Sequence, residues 1–142
     1  MSDGNKILIR ELLSAIDRND WDAAESYFAP DAVIVLAGTP TPLDPTGFRQ
    51  FGETFFRAVR DGRHTVEEQV AEGDRVTTRL TFAGTQTGEL MCVPPTGRRI
   101  SIGAVNVDRV IDGKIVGRYL LFDTLSLLQQ IGAIPTQAQA AA

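Results

Sequence analysis

Between positions 6 and 18 the apolar residues fall at Ile9, Leu12, Leu13 and Ile16. That is the i, i+3, i+4, i+7 spacing of a helix with one buried face. Asn19-Asp20 interrupts it and can cap a second, short helix from Trp21 to Phe28. Pro30-Asp31 ends that helix, and Val33 to Leu36 reads as a buried strand. The proline-rich stretch from Gly38 to Pro45 predicts a loop. Thr46 is the expected cap of a third helix, whose Phe48, Phe51, Phe55, Phe56 and Val59 share one aromatic face. Asp61-Gly62 closes it.

Beyond that point the period changes from helical to alternating. His64 to Glu72 alternates loosely and Gly73-Asp74 predicts a hairpin. Val76, Thr78, Leu80 and Phe82 then share one face of a strand, with Thr77, Arg79 and Thr81 on the other. Gly84 and Gly88 mark a bulge or bend, and Pro94-Pro95-Thr96-Gly97 a turn. Ile100 to Ile111 is a long strand, Asp112-Gly113 a strong hairpin signal, and Lys114 to Phe122 the returning strand. Asp123-Thr124 can cap a last helix carrying Leu125, Leu127, Leu128 and Ile131. Strands joined by short turns give an α+β fold with an antiparallel sheet. The last two strands are apolar on both parities, which predicts cover on both faces: helices on one, a second copy of the chain on the other.

Composition narrows the function classes. A chain of 142 residues suits one domain, expected over residues 1–135 with a frayed tail at 136–142. Lys plus Arg number 14 and Asp plus Glu 18, a net charge of −4 that argues against nucleic-acid binding. One cysteine, Cys92, and one histidine, His64, exclude an internal disulfide and a Cys-rich or multi-histidine metal site. The longest apolar run, Ala32 to Ala37, is too short to cross a bilayer. The charged first 20 residues carry no signal-peptide core, so no membrane partner and a cytoplasmic setting are expected. No Gly-rich phosphate loop follows a strand, and no cofactor is expected.

With so few specialised side chains, proton transfer falls to carboxylates, Tyr, Asn, Gln, Arg or water. Asp108 lies mid-strand on the face shared by Asn106, Ala104 and Ile102, either as one half of an ion pair or as a pocket acid. Asp123 is either a helix cap or a catalytic acid. Arg79 either points to solvent or holds an oxyanion. Cys92 reads as packing, Trp21 as a core anchor and His64 as a surface residue.

Four blocks carry a resemblance: Gly84-Thr85-Gln86-Thr87-Gly88, Pro94-Pro95-Thr96-Gly97-Arg98-Arg99, Arg109-Val110-Ile111-Asp112-Gly113-Lys114-Ile115 and Gln129-Gln130-Ile131-Gly132. In order and spacing the chain resembles the SnoaL-like polyketide cyclase family over about residues 5–135, with Asp20-Trp21-Asp22 and Ala29-Pro30-Asp31 fitting its N-terminal helices. The resemblance implies an α+β cone, a curved, mainly antiparallel sheet wrapped around helices and enclosing an apolar cavity. Ketosteroid isomerases, limonene-epoxide-hydrolase-like enzymes and plain binding proteins share that fold, so fold alone does not select an activity.

In the aromatic polyketide cyclases an aspartate on the last strand is the general acid/base, helped by a histidine on the preceding strand. Counted from the Asp112-Gly113 turn, those positions fall on Leu120 and Asn106. The epoxide-hydrolase-like branch uses Arg-x-Asp on a middle strand, which falls on Arg79, Leu80 and Thr81. The resemblance therefore implies a divergent member. It would be a cofactor-independent tailoring enzyme acting on an apolar aromatic polyketide, a cyclase-like hydroxylase of an anthracycline-type substrate, or a non-catalytic binding protein. Asn106, Arg79 and Asp123 are the expected catalytic groups. Leu120, Gln86, Thr81, Asp108 and Tyr119, with Phe51 and Phe55, are the expected substrate contacts. The expected assembly is a homodimer through the sheet.

Overall fold

A computed structural model describes residues 2–136; all of the expected tail except Thr136 lies outside the described residues. The periodic N-terminal segment forms helix α1, Ser2–Asp17, and buries Ile9, Leu12, Leu13 and Ile16 as the spacing requires. Helix α2, Trp21–Ser26, is capped by Asp20, whose side chain accepts from the Ala23 N–H. It ends two residues before the expected Phe28. Strand β1 takes over at Phe28 and runs to Leu36, straight through Pro30. The reason is tertiary. β1 pairs in parallel with β5, Lys114–Phe122, and is an edge strand, where a residue without an N–H is tolerated. A register shift between Phe28 and Val33 absorbs the proline.

Helix α3, Pro45–Ala58, begins one residue ahead of the expected Thr46 cap. Asp44 is the actual cap, accepting from the Gly47 N–H at 2.7 Å, with Pro45 in the first turn. Strands β2 (Arg63–Glu72), β3 (Arg75–Thr85) and β4 (Arg99–Ile111) follow, and α4 (Thr124–Gln130) ends the described chain. The five strands lie in the order β1-β5-β4-β3-β2, antiparallel apart from the β1–β5 pair. The Asp112-Gly113 turn has φ of +50° and +75°, the doubly left-handed geometry of a tight hairpin.

The sheet curves around the helices as an open α+β cone. Its inner face carries Val76, Thr78, Leu80 and Phe82 from β3 and the even-numbered residues Ile100 to Val110 from β4. Its outer face leaves Val33, Tyr119 and Leu121 exposed, beside half-buried Val105 and Val107. Where β5 stops at Phe122, the side chain of Gln130 on α4 takes over. It accepts from Ser101 N–H at 2.7 Å and donates to Ser101 C=O at 2.9 Å, standing in for a strand. Cys92 is exposed with φ +65°, so the expectation that it packs inside is corrected. No described helix is long and apolar enough to cross a membrane.

Candidate functional site

Inside the cone is an apolar cavity of about 90 Å³. The aromatic face of α3 supplies Phe48, Phe51, Phe55 and Phe56, and the sheet supplies Leu80, Phe82, Ile102, Leu120 and Phe122. These rings interlock. Phe55 meets Phe82 and Phe122 edge-on at 5.4 and 6.1 Å, and Phe51 lies 6.3 Å from Phe122. The void is smaller than the ~300–1,000 Å³ usual for a ligand pocket. A guest of several rings therefore requires phenylalanines to swing aside.

Trp21 forms a partition. Its ring meets Phe56 edge-on at 5.8 Å, and both residues also wall an outer depression of about 340 Å³ lined by Asn19, Glu53, Arg57 and Arg60. Gly52 lets the indole lie against α3, since a Cβ there would fall 2.6 Å from Trp21 Cη2. The core-anchor reading of Trp21 thus holds, with a cavity wall added.

Three kinds of polar group reach this apolar space. Asn106 stands directly across the ladder from Leu120, and both line the cavity. Asn106 is buried, and its Oδ1 has no hydrogen-bond partner among the described residues. A buried amide left unpaired costs roughly 1–3 kcal/mol, so this one is poised for a polar atom that enters the cavity. Rotation about χ2 exchanges its oxygen and nitrogen, so it can present an acceptor or a donor.

One step along the same two strands, Arg118 faces Asp108. The guanidinium donates through Nε at 2.6 Å and Nη2 at 3.0 Å to the two carboxylate oxygens, with the side chains only 2% and 0% exposed. Asp108 is therefore an ion-pair partner behind the wall, while Arg118 itself lines the cavity. Its guanidinium carbon also lies 5.7 and 5.5 Å from the ring centroids of Phe28 and Phe48.

The third group is at the other end. His64 at the start of β2 lines the cavity and is bound to Asp17, the last residue of α1. Asp17 Oδ1 lies 2.6 Å from His64 Nδ1, and Oδ2 accepts the His64 backbone N–H at 3.0 Å. The surface reading of His64 is corrected: its side chain is 15% exposed and that of Asp17 12%. The imidazole sits 6.1 Å from Phe56 and 5.0 Å from Phe82. The loose alternation that opened the strand at His64 gave no sign of this pair, because its members lie 47 positions apart.

Of the expected site residues, the structure gathers Asn106, Leu120, Phe51 and Phe55, and reaches Asp108 through Arg118. Five others lie elsewhere. Arg79 and Thr81 project from the outer face of β3, where Arg79 Nε donates to Glu68 at 2.7 Å and Thr81 to Glu67 at 2.9 Å. The Glu68 hydrogen bond pushes the Arg79 pKa up from its ordinary value. Their parity opposite Leu80 and Phe82 sends them there. Tyr119 is on the outer face by the same alternation. Asp123 caps α4, accepting from the Ser126 N–H at 3.0 Å. Gln86 is fully buried but spends its amide on the loop: Nε2 donates to the carbonyls of Gly88, Val93 and Pro94, and Oε1 accepts from Thr96. Among the described residues no cluster of His, Cys, Asp or Glu is arranged to hold a metal ion.

Comparison with known proteins places this geometry. Over 131 residues the chain is 29% identical to nogalonic acid methyl ester cyclase of Streptomyces nogalater, covering 85% of this chain and 92% of that protein. It superposes on AclR, a candidate hydroxylase from Streptomyces galilaeus, with a TM-score of 0.87 and 30% identity, covering 95% of this chain and 100% of that one. It superposes on IdmH, a candidate polyketide cyclase from Streptomyces antibioticus, with a TM-score of 0.83 and 34% identity, covering 90% and 98%. The model of the SnoaL-like polyketide cyclases matches residues 6–131, and the chain belongs to that family.

Proposed function

We propose that this protein is a cofactor-independent polyketide tailoring enzyme. It takes an apolar, oxygenated, fused-ring molecule into the cone and closes a ring by intramolecular carbon–carbon bond formation. The observation that carries the reading is the unpaired amide oxygen of Asn106, buried in a largely apolar wall. Such a wall recognises a flat apolar body, and the amide with Arg118 recognises one carbonyl or phenolic oxygen on it. In a water-poor site those donors act at full strength on a partly negative oxygen. Leu120, standing where the family's acid would fall, keeps water from that oxygen.

The test uses nogalonic acid methyl ester as the trial substrate, with purified protein and no added metal or nucleotide. Product is followed by chromatography under air and under argon. Ring-closed product under both gases is expected. Asn106→Ala should lower kcat/KM at least about tenfold, since one polar anchor is removed. Product under air alone would favour oxygenation, a second reading supported by the likeness to AclR. Saturable binding with no product under either gas would favour a binding protein. We also propose that the outer stripe of Val33, Val105, Val107, Tyr119 and Leu121 pairs with a second copy of the chain.

A further inference from the structure

We propose that His64, oriented by Asp17, is the proton-transfer group of this cavity, acting on an acidic C–H of the bound polyketide; this rests on the polyketide reading above. The argument begins with elimination. Among the side chains that line the cavity, those with titratable or strongly polar ends are Asn106, Arg118 and His64. An amide does not exchange protons at useful rates, and the Arg118 guanidinium stays charged and tied to Asp108. Leu120 has no proton to give. The imidazole is the remaining acid–base group.

Its geometry is that of an oriented base. The Asp17 carboxylate accepts from both the backbone and the ring of His64, so the ring is fixed at two points. A carboxylate on Nδ1 holds the proton there and leaves the Nε2 lone pair free. Among the described residues Nε2 has no hydrogen-bond partner, and the ring is flanked by Phe56 and Phe82.

The proton count closes without an oxidant. Nε2 takes the proton from a carbon flanked by carbonyls, and the C–H electron pair becomes the enolate. The enolate carbon bonds to a ketone carbon of the same molecule, and the ketone π pair becomes an alkoxide. The imidazolium returns its proton to that alkoxide. Asp17 is a positioning residue throughout.

The same placement constrains the substrate. His64 lies across the ladder from Phe82, and Phe82 from Ile102, four residues before Asn106 on β4. That offset is roughly 14 Å along a strand. A molecule held by Asn106 and deprotonated by His64 must be elongated, with its acidic carbon at the end away from the anchored oxygen.

The experiment follows two signals with the same ester. One is ring closure. The other is deuterium uptake at its acidic carbon in D2O, read by NMR, which reports proton abstraction whether or not a ring forms. His64→Gln should slow uptake and closure at least about 100-fold, the scale of general acid–base catalysis, with KM within a few-fold. Asp17→Asn should fall between His64→Gln and the wild type in kcat and leave KM near wild type, a split that a merely structural tie would not produce. Wild-type uptake in the His64→Gln protein, or no protein-catalysed uptake in the wild type, overturns the proposal. His64-dependent uptake without closure upholds the dyad and sinks the cyclase reading; closure untouched in His64→Gln does the reverse. If the variant does not fold, the wild type suffices. His64 is the sole histidine, so its imidazole resonances are unambiguous, and a failure to shift at saturating ester overturns the contact.

Discussion

Replacing Arg118 by Met leaves the Asp108 carboxylate without its partner. The bond is bidentate at 2.6 and 3.0 Å, and both side chains are almost completely buried. Removing one member of such a pair strands a charge away from water, which costs about 3–5 kcal/mol. The aromatic contacts on Phe28 and Phe48 are lost with it, but the methionine stem still fills most of that space. For a chain of this length the unfolding entropy is roughly 0.3 kcal/mol/K, so the melting temperature should drop by about 10–17 °C. Asp108→Leu should cost a similar amount. The double replacement, Arg118→Met with Asp108→Leu, should recover most of the loss, because two apolar groups leave no charge stranded. Urea titration of the four proteins gives the coupling energy directly. A single variant that loses less than about 1 kcal/mol, or a double variant that loses the sum of both singles, would refute the picture of a desolvated pair.

Four further outcomes are expected. Asn106→Leu should raise stability by about 1–3 kcal/mol in thermal melts of the empty protein while weakening ester binding, because the orphaned amide is removed. Gly52→Ala should destabilise by about 1–3 kcal/mol despite alanine's better helix propensity, because its Cβ meets the Trp21 ring. Asp61 has its carboxyl pKa lowered, first by the Thr85 N–H and then by the Thr85 hydroxyl and Arg99, with burial opposing. Its stabilisation is therefore present above the ordinary carboxylate value and lost as pH falls through the lowered one, so Asp61→Asn should flatten the acid limb of melting temperature against pH. Leu121→Lys on the outer face should convert a dimer to monomer in sedimentation; a monomeric wild type at tens of micromolar (roughly the range of a weak interface) would remove the proposed pairing.

Much of the fold was written in periodicity. α1 and β3 follow their spacing because each buries one face of a regular element. The α2–β1 boundary did not, because extended backbone through Pro30 depends on β5, which lies far along the chain. Thr46 was a reasonable cap by residue type, yet Asp44 with Pro45 behind it wins by supplying a stronger acceptor and a preset φ. At the site, parity grouped Asn106 with Ala104, Ile102 and Asp108 without saying which face of that doubly apolar strand turned inward, and it put Arg79 on the polar face of its own strand; favouring Arg79 as an oxyanion group meant setting that parity aside. Family position drew attention to Leu120 and Asn106, and the ladder puts them face to face. Two pairings escaped. Arg118 was passed over as Asp108's partner: counted from the Asp112-Gly113 turn Asp108 falls opposite Gly117, and only the register shift between Arg109 and Val110 brings Arg118 across from it. Asp17 and His64 meet only because the curved sheet brings the start of β2 to the end of α1, a closure that no local pattern encodes.

The Trp21–Phe56 partition has a kinetic consequence. With the indole in place, the inner void and the outer hollow are separate and neither accommodates a guest of several rings spanning both. A guest that enters past Trp21 needs the indole to leave Gly52 first, so association by that route should run well below the collision limit and saturate at high ligand concentration. Because Trp21 is the chain's sole tryptophan, stopped-flow emission would record that step without a label.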